Sequence, residues 1–201
     1  LHRGTGRLWA TLVQLEHSRS GVDGQRAVLE RALAEVPKSG EVWCEGARLH
    51  LNPHADCFSL EAARRYLDAA IEFTPQYGDS FIEYLRLIMI APAADADARL
   101  ERLWQRCIHA EPNYGVLWSH AKTSPTYSPR QVLAHATGLL RAELDEWHHL
   151  YAAAIERAVA RGESAIGASV AVAEPPALYA RASADFVTGL VARNRRDRQQ
   201  L

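Results

Sequence analysis

Glu111-Pro112-Asn113-Tyr114-Gly115-Val116-Leu117-Trp118 decides how this chain folds, because its pattern occurs twice before. The earlier copies are Val36-Pro37-Lys38-Ser39-Gly40-Glu41-Val42-Trp43 and Thr74-Pro75-Gln76-Tyr77-Gly78-Asp79-Ser80-Phe81. Each reads Pro-x-x-Gly-x-x-aromatic. The prolines stand at Pro37, Pro75 and Pro112, at offsets of 38 and 37 residues. Composition alone predicts roughly 0.04 matches to this pattern, so three evenly spaced ones mark an internal repeat. A period of this length belongs to helical solenoids.

The segments between these turns are helical. Ala63, Tyr66, Leu67, Ala70 and Ile71 follow i, i+3, i+4, i+7, i+8, as do Leu100, Leu103, Trp104, Cys107 and Ile108. That spacing is the apolar stripe of an amphipathic helix, and no useful stretch alternates with period two. Each stripe ends before the proline of the next turn, which lacks the N–H to continue a helix and disfavours helix in the residue before it. The glycines Gly40, Gly78 and Gly115 give the turn freedom where helices meet closely. The aromatics Trp43, Phe81 and Trp118 then open the next helix on its buried face.

The unit is therefore helix A, turn, helix B, proline. The first unit is expected over 7–17 and 24–36, the second over 40–51 and 59–73, the third over 79–90 and 95–110. The fourth starts at Gly115, breaks at Ser124-Pro125 and resumes after Ser128-Pro129. Ser59 and Ser128 are the expected N-caps, with Pro129 at the first helical position. The fold class expected is all-α, a right-handed solenoid of antiparallel helix pairs. About four units fill 1–144. Capping helices fill 145–192 with a loop near 162–176, and 193–201 forms a basic tail.

Composition bounds the function. Of 201 residues, 48% are hydrophobic and 23% charged, which is globular and not disordered. Lys+Arg is 23 against Asp+Glu 24, so binding driven mainly by phosphate neutralisation is not expected. No apolar run reaches the roughly 18 residues of a membrane span. The chain begins at Leu1 with no targeting signal and reads as a piece of something longer. Cys44, Cys57 and Cys107 are odd in number and unclustered, as expected of small thiols in a reducing compartment.

No constellation for chemistry emerges. His148-His149 lies near Glu143, Asp145 and Glu146, but HExxH is absent and the group reads as solvated charge. Ser164 and Ser169 match neither a nucleophile elbow nor a phosphate loop. Catalytic, metal and cofactor residues are therefore none, and no small-molecule substrate is expected. Trp9, Trp43, Phe81, Trp104 and Trp118 read as core aromatics in preference to a base-stacking platform. Arg64 and Arg65, with Arg99 and Arg102 at similar places one unit on, have two readings: a concave groove for an acidic partner or RNA, or a solvated helix face. The Arg193–Arg198 tail either touches RNA or an acidic surface or only solubilises the end.

Trp9-x-x-Leu12-x-x-Leu15-Glu16, followed by Arg26–Leu33 and Pro37, resembles the HAT (half-a-TPR) repeat. The Leu-Gly pair usual in a TPR helix A is missing. Within the HAT proteins, residues 7–123 resemble the C-terminal HAT region of the pre-mRNA-processing factor 6 family. The stretches that carry it are 37–43, 77–81 and 106–118. The resemblance implies a non-catalytic scaffold in an RNA-processing complex, foremost pre-mRNA splicing, where that family bridges particles in the tri-snRNP. It implies a nuclear site and protein partners, with RNA contact indirect or weak. Two alternatives stay open: another HAT scaffold, in mRNA 3′-end processing or ribosome biogenesis and dimeric through Trp147–Ile155, or a TPR-type peptide-binding adaptor. The adaptor would need a repeated Lys and Asn clamp, for which the lysines here are too few.

Overall fold

The computed structural model describes residues 4–91 and 95–162. The expected loop after Gly162, Ser164 and Ser169, the last helix and the basic tail lie outside them. Among the described residues seven helical elements follow in order: α1 (Gly6–Glu35), α2 (Gly40–Leu51), α3 (Leu60–Phe73), α4 (Asp79–Ile90), α5 (Ala96–Ala110), α6 (Val116–Ala121) and α7 (Pro129–Ala160). Among the described residues the only β-type pairing is an isolated bridge between Tyr77 and Tyr114. The architecture is an all-α, TPR-like helical solenoid.

Local sequence sets the helix ends. Ser39, Ser59 and Ser128 each accept the backbone N–H three residues on, and Ser128 forms a full capping box with Gln131 behind Pro129. The first unit is two helices, as expected, but they meet at a sharp break with no loop between them. Gly21, at φ 70° and ψ −160°, carries the break. Glycine reaches that backbone region at little cost, so the chain reverses there without a connecting segment.

The repeat turns stack on one another. Gly78 N–H donates to Tyr114 O at 2.8 Å, and Asn113 N–H to Gln76 O at 3.1 Å. This approach is why residue 78 is glycine: a Cβ there would lie 2.3 Å from the Trp118 ring. Phe81, Trp104 and Trp118 are buried in one cluster with Leu85, Leu100 and Leu133. Trp9 and Trp43 are half-buried. Trp43 packs on Tyr66 and sends its indole N–H to Pro37 O at 2.7 Å, so its polar edge sits at the rim of the core.

The division expected at residue 144 falls inside α7, which is 32 residues long. No glycine or proline lies between Arg141 and Ala160, so nothing stops the helix where the repeat pattern fades. Its first half completes the fourth unit against α4, α5 and α6. Its second half reaches back to the α2–α3 loop. Tyr151 packs on Phe58, and Arg157 and Arg161 donate to Pro53 O and Phe58 O at 2.6 and 2.7 Å. The Tyr151, Ala154 and Ala158 stripe is thus buried within the chain.

Candidate functional site

Two adjoining cavities of about 470 and 410 Å³ share His17, Arg48, Asn52, Glu83 and Arg86, and so form one groove. The helix A elements α2 and α4 line it together with α1 residues on both sides of Gly21 and the start of α6. Glu143, Trp147 and Tyr151 of α7 bound one end.

A network of charges floors the groove. Arg48 on α2 reaches Glu45 in its own helix and two carboxylates on the next helix A. Its Nε lies 2.8 Å from Glu83 Oε1 and its Nη2 3.0 Å from Asp79 Oδ2. Arg86 holds the other Glu83 oxygen at 2.8 Å and pairs with Glu143 of α7. Gln14 from α1 donates to Glu45 at 2.7 Å. Two guanidinium forks therefore join α2, α4 and α7, and Gln14 ties α1 to them. Glu45 and Glu83 are buried, where an unpaired charge would be costly.

Their protonation equilibria part ways. Burial pushes Glu45 above the usual carboxylate range, and Arg48 and Gln14 offset only some of it. Burial also pushes on Glu83, but Arg86 and Arg48 together outweigh it and hold this carboxyl below that range. Burial raises the Cys44 thiol beside them strongly, so it is a packed thiol and not a nucleophile.

Asp79 has a second task. Its Oδ1 accepts Trp118 N–H at 2.9 Å, and its Oδ2 accepts Val116 N–H at 3.2 Å. Gly115, the residue before α6, has no side chain to cap it, so Asp79 of the previous unit caps it instead. Gly115 sits at φ 136°, and a Cβ there would lie 2.1 Å from Asp79 Oδ1.

None of the four arginines singled out in the sequence lines this groove. Arg64 and Arg65 stand on α3, Arg99 and Arg102 on α5, the helix B elements of the array. Arg64 pairs with Glu61 and Asp68, and Asp68 is shared with Arg106 of α5 at 3.1 Å. Arg102 lies 3.7 Å from Asp95, and Arg65 is exposed. Sequence reasoning passed over the groove residues, although a signal was present. Glu45 and Arg48 recur as Glu83 and Arg86 at an offset of 38, which is the repeat period. Among the described residues no three His, Cys, Asp or Glu side chains converge as metal ligands, and no helix is long and apolar enough to cross a membrane.

Comparison with known proteins agrees with this architecture. The family described as "PRP6, TPR-like domain" matches residues 1–137, ending within α7. A TPR-containing protein of Dictyostelium discoideum is 51% identical over 140 residues, which are 70% of this chain and 10% of that protein. The chain thus spans about a tenth of the length of the curated relative it matches. No solved structure matches it. With the repeated turns, stacked helix pairs and family match in agreement, the chain belongs to the PRP6 TPR-like domain family.

Proposed function

We propose that the chain is a non-catalytic scaffold for protein–protein interaction in pre-mRNA splicing, where it helps bridge particles of the tri-snRNP in the nucleus. The PRP6-type match over residues 1–137 carries this reading. The groove gives it a physical means. Its floor is fixed by buried ion pairs from successive units, so a partner would meet a preorganised surface. The helix B arginines Arg64, Arg65, Arg99 and Arg102 offer a second, more exposed surface for an acidic partner. No reaction is assigned, and RNA contact would pass through the partners.

Affinity purification of the full-length tagged protein from nuclear extract tests this. Tri-snRNP proteins and small nuclear RNAs should be recovered, and lost when residues 1–144 are deleted. Recovery of cleavage, ribosome-assembly or chaperone components instead would overturn the splicing role. One observation favours a second reading: the Dictyostelium relative is named only for its TPRs, and the match covers a tenth of it. On that reading the module is an adaptor in a larger protein of other purpose, and chaperone or unrelated partners would be recovered.

A further inference from the structure

The second half of α7 adds to the groove a pocket that the repeat pattern does not contain. The family match ends at residue 137, and Glu143, Trp147 and Tyr151 stand beyond it. Their four-residue spacing sets them on one face of α7. There they close the cavity of about 410 Å³ against the end of α2 and the loop after it. Trp147 is 37% accessible, whereas Trp104 and Trp118 inside the array are 7% and 2%. An indole left open at the mouth of a cavity is a ready contact surface.

Two kinds of surface meet in this pocket. One wall is apolar, made by Val22 of α1, Leu51 of α2 and Pro53 of the α2–α3 loop. The other carries charge of one sign. Arg48 and Arg86 line it, but both are engaged by Glu45, Asp79, Glu83 and Glu143, and their side chains are only 21% and 12% exposed. Four carboxylates thus face two guanidiniums. Counting Glu45 as neutral, since burial raises it, still leaves an excess of negative charge. Glu143 is the most open of the four at 39%, and Arg86 takes only its Oε1. His17, Asn52 and His54 complete the lining and bring no fixed charge. A cleft with apolar walls focuses such a field on whatever enters it.

We propose that this pocket at the α7 end of the groove receives an arginine side chain from a partner protein. The aliphatic stem lies along Val22, Leu51 and Pro53, and the guanidinium covers the Trp147 ring and donates to Glu143 Oε2. Arginine suits the pair better than lysine, because a planar guanidinium stacks on the indole while its edge donates to the carboxylate. An acidic segment would meet the excess negative charge. A purely apolar one would bury Glu143 Oε2 without a donor. The assignment rests on the scaffold reading of the groove and is independent of the splicing role.

Selection of a random peptide library on the full-length protein tests it, followed by titration of the recovered peptides with arginine replaced by citrulline, its neutral isostere. Arginine should dominate one position of the recovered peptides, and citrulline there should weaken binding roughly tenfold. Trp147→Ala and Glu143→Gln should each remove most of this preference with the circular dichroism spectrum unchanged. Val159→Ala, at an exposed site on the same helix away from the pocket, should leave it intact. A library that yields no binder, binders without an arginine preference, or a preference that survives both pocket substitutions would overturn the proposal. Tri-snRNP recovery by a protein without the preference would sink the pocket alone. The preference together with recovery of other complexes would sink the splicing role alone.

Discussion

The two faces of the array use the same chemistry to different ends. On the helix A face, Arg48 and Arg86 hold four carboxylates, and the Arg48 side chain is 21% exposed against 1–5% for Glu45, Asp79 and Glu83. On the helix B face, Arg64 and Arg106 share Asp68, and the three side chains are 37–42% exposed. Distances are alike, near 3 Å on both faces. Burial alone separates a network whose loss strands charge from one that water can replace.

The sharpest way to break this comparison is Arg48→Met. It leaves Glu45, Asp79 and Glu83 without a shared cation, and urea denaturation should show a loss of about 3–5 kcal/mol. A loss under about 1 kcal/mol would make the inner network no different from a surface pair. Next, double-mutant cycles should give a coupling of about 1.5–3 kcal/mol for Arg48 with Glu83, but about 0.5 kcal/mol or less for Arg64 with Asp68. Equal couplings would mean that burial does not separate the two faces.

Acid titration of stability sharpens the inner face further. Glu83 is held below its ordinary range, so its contribution is present above the ordinary carboxylate value of about 4 and is lost as pH falls from there through the depressed folded one. Glu83→Gln should flatten this acid limb. Glu45 is raised, so it acts with the opposite sign and loses stability as pH rises. Glu45→Gln should steepen the acid limb, a contrast that thermal denaturation between pH 3 and 7 would read. Smallest of all, Arg64→Ala should change stability by about 0–1 kcal/mol, fading with added salt.

The features legible in the sequence were local ones. Pro37, Pro75 and Pro112 end helices through their own backbone chemistry, and Ser59 and Ser128 cap the turn directly after them. Features that needed the third dimension were not read. Arg64 and Arg48 are equally plausible groove residues until helix A and helix B are assigned to faces. Asp79 caps a helix that begins 37 residues later, which no local window contains. The expected boundary at 144 confused the end of the repeat pattern with the end of a helix. A lost period shows only that the packing partner has changed, and beyond 144 the partner of α7 becomes the α2–α3 loop.

That contact of α7 bears on the mechanics of the array. A solenoid whose units touch only their neighbours bends like a coil spring, and each junction can open separately. Here a helix about 48 Å long joins the fourth unit to the second, anchored by Arg157 on Pro53 and Arg161 on Phe58. It works as a splint across the third unit. Pulling the ends apart must bend or detach α7 before the junctions between can yield, so the last three units stretch as a single stiff segment.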